Sequence, residues 1–326
     1  MANHAARRQG YLGVVGLLGL DYEHRLRQAA FSYLRALSER SGTPLVRQQD
    51  LADFRFEGRP VRLMATQTGI WKPRQLRAAL SFRTVYASDP SRRPYDDEVG
   101  SDGYLRYKWR FADVSDPSNY ERSDNRAMRA ALSQRLPLIW FQGVASGLYL
   151  PVYPVHLADE EPTAQQFVVA LDDQSLQLRR DLELDDPLLV RSYATRVVTE
   201  RLHQPMFRER VLLAYENRCA ICRLRHIELL DAAHVIGDAE GGEPVVTNGI
   251  AMCKIHHAAY DADIFGIAPS YRVGVRRDVM EEIDGPTLRY ALQGIHGQDI
   301  EVPRRRTARP DRDLLDIRWT RFQAAS

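Results

Sequence analysis

Cys219-Ala-Ile-Cys222 and Cys253-Lys-Ile-His256 are the residues whose types and spacing most plainly carry chemistry. A two-residue gap in a tight turn lets both side chains face one ion. Two such knuckles supply the four soft or borderline ligands of a tetrahedral zinc site. All 3 cysteines of the chain lie in these knuckles, which reads as metal chemistry in a reducing compartment and not as a disulfide framework. Protein fills all four positions, so a Zn²⁺ held by Cys219, Cys222, Cys253 and His256 is expected to be structural.

Between the knuckles, residues 229–236 form an apolar, strand-like run interrupted by Asp231 and His234. A loop with Gly237, Gly241 and Gly242 follows, then the run 247–252, which contains Asn248. His257 comes directly after the second knuckle, with Tyr260 and Asp261 close behind. The order strand, glycine-rich loop, strand, helix predicts a ββα unit wrapped around the zinc.

In this ordered set of cysteines, histidines and asparagine, residues 217–267 resemble the HNH nuclease family. The resemblance is to the ββα-metal fold, in the subgroup that carries structural Cys knuckles. It makes His234, Asn248 and His257 the motif histidine, asparagine and histidine. It also implies hydrolysis of DNA phosphodiester bonds with one catalytic divalent cation, Mg²⁺ or Mn²⁺, and gives Asn248 the task of bracing the loop that aims His234. Two positions depart from the family's pattern. Ala233 stands where many members have Asp or His before the base, and His256 stands where Cys is commoner at the fourth knuckle position.

Hydrolysis of a phosphodiester needs a base to deprotonate water and a cation to neutralise charge on the phosphate and leaving oxygen. A neutral imidazole titrates near neutral pH, so His234 is the expected general base. His256 and His257 lie about 100° apart on a helix, which sends His256 to the zinc and His257 to the catalytic metal. Asp261 follows His257 by one helical turn and shares its face, making it one candidate carboxylate ligand. Asp231 is the other. Strict strand alternation would put it opposite His234, so it reaches the site only if the strand bends or begins there.

The elements that must position these groups come from a chain of 326 residues, long enough for two domains. Hydrophobic residues make up 44% and charged residues 27% of the sequence, an ordinary composition for a soluble protein. The net charge of +2 does not by itself argue for nucleic acid. Arginine greatly outnumbers lysine, which weakly favours phosphate and guanine contacts. The apolar stretch 11–20 is glycine-rich, lacks a small-residue cleavage site and runs into charge, so it reads as structure and the protein as cytoplasmic.

Helical spacing covers 23–38, and strand-like runs fall at 61–65, 81–86, 104–111, 138–142, 147–155 and 166–170. The fold class is therefore α+β: a β-rich domain over 1–172, a linker and connecting helix over 173–205, and the ββα-metal (HNH) domain over 206–326. The last part includes a basic tail with Arg304, Arg305 and Arg306, either a solvated arm or one that contacts phosphate.

A small β-rich domain ahead of an HNH nuclease resembles the modification-dependent restriction endonucleases. That resemblance implies an N-terminal reader of the PUA-like or SRA type, which flips a modified cytosine into an aromatic pocket. It makes double-stranded DNA carrying 5-methylcytosine or 5-hydroxymethylcytosine the partner. On the run 104–111, Tyr104, Arg106, Lys108 and Arg110 alternate with apolar residues, giving a basic face with aromatics nearby. Tyr95, Asp102, Tyr104 and Trp109 are the pocket candidates. A single nuclease site would make a double-strand break as a homodimer or by two nicks. The alternatives in other classes are a zinc-held DNA-binding module without catalysis and an RNA-directed HNH nuclease.

Overall fold

A long helix, α1 (Asn3–Ser41), opens the chain and buries Leu26, Ala30, Phe31 and Leu34 along one face, as helical spacing over 23–38 requires. The computed structural model describes residues 3–86, 98–100, 102–110, 116–174 and 196–325. The chain divides into two compact units, Met1–Leu202 and His203–Ser326. Among the described residues, no helix is long and apolar enough to cross a membrane.

The first unit is built on one curled sheet. Its strands are β1 (Val46–Arg47), β4 (Ile70–Trp71), β5 (Ser81–Thr84), β6 (Glu98–Val99), β7 (Leu105–Lys108), β8 (Leu138–Ala145), β9 (Leu148–Glu161) and β10 (Gln166–Ala170). A separate small hairpin pairs β2 (Arg55–Phe56) with β3 (Arg59–Pro60). The strand order in the sheet is β4-β5-β8-β9-β10-β7-β6, with β1 also on β9. Among the described strands of this sheet, only β5 and β8 run parallel; the other pairs are antiparallel.

The curl comes from β9, which changes partner along its length. Its first half pairs with β8, from Ala145↔Leu148 to Leu138↔Val155, and its second half with β10, from Ala170↔His156 to Gln166↔Glu161. Register shifts at Val168/Val169, Leu138/Trp140 and Gly143/Ala145 add the local bends that such a change needs. Helix α2 (Ser123–Ser133) buries Ala127, Met128 and Ala131. The strand expected at 61–65 is absent. Val61, Leu63, Met64 and Ala65 are buried while Arg62 is exposed, so the run plugs the core as a loop, and its mostly apolar composition mimicked a buried strand.

The second unit begins with α3 (Gln204–Ala214) and passes through the first knuckle. It continues through β11 (Leu230–His234), β12 (Gly249–Cys253) and α4 (Lys254–Asp261). Then come β13 (Phe265–Ile267), β14 (Val273–Val275), α5 (Arg277–Glu281) and the C-terminal helix α6 (Arg312–Ala325). The ββα order anticipated between the knuckles is present. One core spans it, with Val211, Leu212, Ala233, Ile250, Met252, Tyr260, Phe265 and Leu315 all buried.

Helix α6 closes that core over a pair of glycines. Gly266 faces Gly274 across the β13–β14 ladder. A Cβ at either would come within 2.6 Å of the Phe322 or the Trp319 ring. The glycines therefore let two aromatic rings lie directly on the backbone of the hairpin.

Candidate functional site

The first knuckle is a tight turn entered through left-handed backbone at Glu216 and Asn217 (φ 54° each) and left through Arg223 (φ 62°). The Cys219 amide donates to the Leu224 carbonyl, and the Arg223 amide to the Cys219 carbonyl. The Ala220 amide bonds the Ala251 carbonyl at 2.7 Å, which ties the turn to β12. Cys253 ends β12 and serves as N-cap of α4, and His256 sits on the first turn of that helix.

The ligand atoms of Cys219, Cys222, Cys253 and His256 all lie within 4.8 Å of one another. Cys222 and Cys253 sulfurs are 3.9 Å apart, and His256 Nδ1 is 3.1 Å from Cys253 Sγ and 3.6 Å from Cys219 Sγ. Zinc–sulfur bonds of about 2.3 Å give a tetrahedron with sulfur–sulfur edges of about 3.8 Å, so the spacing suits that ion. His256 Nε2 donates to the Ala291 carbonyl at 2.8 Å, which leaves the Nδ1 lone pair aimed at the sulfurs.

Charge tells the same story. Hydrogen bonds among the thiols push Cys222 up and Cys253 down. Burial presses His256 toward its neutral form, yet its bonds to Cys219 and Cys253 carry it up to about 10. The four groups shift one another because they are packed together, and a metal ion bound there would displace their protons. The Cys₃His group can thus hold a metal ion such as zinc.

A second cluster lies where β11 begins. His257 Nδ1 is 3.2 Å from Asp231 Oδ2, and its Nε2 is 3.2 Å from Asp261 Oδ2. One imidazole thus stands between both carboxylates. Asp231 reaches it from the start of the strand, beside the Leu230–Cys253 end of the ladder. Burial favours the protonated Asp231 carboxyl, but the His257 bond, the Ala232 amide and the charges of His257 and Arg208 outweigh it and hold the carboxyl low. The Asp231 bond raises His257 against the effect of burial, and the charges of Asp261 and Asp231 add to it.

His234 ends β11, opposite Gly249. Burial lowers its pKa below the usual histidine value and the positive charge of His257 adds to the effect; Asp238, Asp261 and Asp231 oppose. Its Nε2 lies 3.3 Å from Asp238 Oδ1, and its ring stacks on Phe207 with centroids 3.9 Å apart.

Asn248 is buried and works as a piece of backbone. Its side-chain carbonyl accepts from the Ile236 amide, and its Nδ2 donates to the carbonyls of Ile236 and Glu243, each at 2.9 Å. The two arms of the loop are joined through this residue. A Cβ at Gly242 would collide with the Ile236 carbonyl, so only glycine permits the return of the chain at that point.

Arg208 was not foreseen. It donates to the Ile227 and Leu230 carbonyls at 3.1 and 2.8 Å and approaches Asp231 at 3.7 Å, fixing the start of β11. Asp238 carried a visible signal, a carboxylate one step past Gly237. Phe207 and Arg208 carried none, since they arrive from α3 ahead of the knuckles.

The basic tail is not a free arm. Pro303 accepts from Arg309 Nε at 3.0 Å, Pro310 from the Tyr271 hydroxyl at 3.0 Å, and the Asp311 amide reaches the Thr247 carbonyl at 2.8 Å. Arg304, Arg305 and Arg306 are exposed along this anchored segment, and Arg304 pairs with Glu216 at 3.0 Å.

The expected reading pocket in the first unit needs correction. Tyr104 and Trp109 are core residues, 2% and 3% exposed, and neither offers a face to a flipped base. The Arg129 guanidinium covers Trp109 at 4.7 Å and Tyr120 at 3.5 Å, and is held by Glu160. The basic face is internally satisfied too. Asp102 grips Arg106 through both oxygens, Lys108 donates to Gln166, and Arg110 pairs with Asp124. Tyr95 lies outside the described residues.

Residues 219–268 match a family model described as HNH endonuclease. The second unit therefore carries an HNH endonuclease domain, and the chain is a nuclease by that domain. Solved structures similar to the chain include one of a modification-dependent TagI restriction endonuclease, at 15% identity and TM-score 0.30, covering 79% of this chain and 86% of that one. Another is of the type IV phosphorothioation-dependent restriction endonuclease ScoMcrA, at 14% identity and TM-score 0.23, covering 60% of this chain and 51% of that one. No curated protein matches the sequence.

Replacing a knuckle ligand tests the metal centre. Cys219→Ser is expected to lose the bound metal and to lower the melting temperature of the second unit, because metal binding contributes folding free energy. Metal analysis beside a thermal melt measures both; a metal-free Cys219→Ser protein that melts like the wild type would contradict this.

Proposed function

We propose that this chain is a metal-dependent DNA endonuclease that restricts DNA carrying modified cytosine. The observation that carries the nuclease chemistry is the placing of His257 between Asp231 and Asp261, within the segment that matches the HNH family. Zn²⁺ bound by Cys219, Cys222, Cys253 and His256 is structural, since four protein ligands leave no open position. Asp231 and His257 Nδ1 would hold the catalytic Mg²⁺ or Mn²⁺. Asp261 then accepts from Nε2–H of His257 and fixes its tautomer, as outer carboxylates do for metal-bound histidines. A divalent cation there supplies positive charge to the scissile phosphate and the leaving oxygen.

The residues of the chain do the rest. His234 takes the proton from the attacking water, and its lowered pKa keeps the imidazole neutral near pH 7. Asn248 holds the loop carrying Asp238, and Arg208 holds Asp231 in place. Arg304, Arg305 and Arg306, on an anchored ridge, are suited to phosphate contacts. The β-rich first unit, of PUA-like or SRA type in this reading, supplies the selection that an HNH module lacks, because phosphate contacts carry no sequence information. One site per chain cuts one strand, so a double-strand break requires a homodimer or two successive nicks. Cysteines used as metal ligands and not as disulfides suit a cytoplasmic setting.

Nicking of plasmid DNA in Mg²⁺ or Mn²⁺ is expected to vanish in His234→Ala while its zinc content stays at the wild-type level. A base must be neutral to act, so a depressed pKa extends activity downward in pH. The acid limb of the wild-type rate profile should therefore have its midpoint below 6.5, the ordinary histidine value. Persistent cutting by His234→Ala, or a limb above that value, would remove the base assignment.

Paired substrates test the restriction reading. DNA with 5-methylcytosine or 5-hydroxymethylcytosine should be cut faster than the same sequence unmodified. Equal rates on both would end the reading as a modification-dependent enzyme.

A further inference from the structure

In an antiparallel pair, the side chains of directly opposed residues lie side by side on one face of the ladder. His234 is opposed by Gly249, which puts nothing beside it. The gap is filled from another element: Phe207, on α3, is 3% exposed and lies over the backbone of Gly249. A Cβ at Gly249 would stand 2.8 and 2.9 Å from Cζ and Cε2 of that ring and would press on Val211. Phe207 meets the His234 imidazole face to face, at 3.9 Å between centroids and 10° between planes. On the ring edge, Asp238 Oδ1 lies 3.3 Å from Nε2.

An ordinary core position would be served by any apolar side chain of similar volume. A parallel aromatic face does more, because it fixes the plane of its neighbour as well as excluding water. Rotation of the imidazole about its side-chain bonds would drive it into the Phe207 ring or break the parallel stack.

We propose that Phe207, admitted by the missing Cβ of Gly249, is a positioning residue that holds the His234 imidazole in the plane from which it accepts a proton. The proposal rests on the reading of His234 as general base. It assigns to α3, which lies outside the ββα unit, a direct part in the geometry of the reaction. Misplacing a reacting group by about 1 Å can cost on the order of a hundredfold in rate, so the loss should appear in kcat.

The test compares nicking kinetics of the full chain in Mn²⁺ for wild type, His234→Ala, Phe207→Leu and Gly249→Ala, with zinc content and melting temperature measured alongside. Phe207→Leu keeps an apolar side chain and removes the flat face. Gly249→Ala keeps Phe207 and pushes its ring aside, so it probes the contact from the other side should the leucine variant fail to fold. The expected result is a kcat lowered by about ten- to a hundredfold in each variant, with KM and zinc content unchanged. A purely structural role would lower the amount of folded, zinc-loaded enzyme and leave the kcat of that fraction alone. An inactive His234→Ala beside folded Phe207→Leu or Gly249→Ala enzyme with wild-type kcat would overturn the positioning role and leave the base assignment standing. Cutting by His234→Ala would remove the base assignment and the positioning role together.

Discussion

Three sulfurs and an imidazole nitrogen gathered within 4.8 Å set the geometry of the whole second unit. The knuckle at Cys219 is bonded to β12 through Ala220, Cys253 joins β12 to α4, and His256 reaches out to Ala291. A metal ion at their meeting point would cross-link a strand, a helix and two loops that already share one apolar core. His256 and His257 are consecutive on α4, about 100° apart around its axis. The first faces the sulfurs of Cys219 and Cys253 and the second faces Asp231, so one helix serves both clusters.

The other half of the site depends on polar groups that imitate backbone. Asn248 closes the loop after β11 by pairing with both the amide and the carbonyl of Ile236. An isolated pair of short strands is marginal in water, so β11 and β12 need such ties at one end and the cluster of Cys219, Cys222, Cys253 and His256 at the other. Between these two restraints lie Asp231, at the knuckle end, and His234, at the loop end. Asp231 is second and His234 last in a five-residue ladder in which Ala232 and Ala233 are buried.

Sequence made the second unit legible because metal ligands and glycine turns are local. The knuckles, the ββα order and the split between His256 and His257 follow from spacing alone. The choice between Asp231 and Asp261 did not, because it turns on where β11 begins, and the structure brings both to the same imidazole. Phe207 and Arg208 were invisible for a related reason: they act through contacts from a helix distant in sequence. In the first unit the limits were stricter. Alternation placed Tyr104 with Arg106, Lys108 and Arg110 on a polar face, whereas Tyr104 is buried and each of these cations has an internal partner. A basic face free to meet DNA and a basic face locked to its own acids read alike in sequence. The loop at 61–65, with four of its five side chains buried, likewise looks like a strand to any test based on hydrophobicity.

Under the proposed function the two metal sites are separate, one for the fold and one for hydrolysis. The direct measurement is the Mn²⁺ dependence of nicking by Asp231→Asn, taken with zinc content held at the wild-type level. The Mn²⁺ needed for half-maximal rate should rise by about tenfold or more when a ligand loses its charge, with zinc unaffected. An Asp231→Asn enzyme that nicks with the wild-type Mn²⁺ dependence would contradict it.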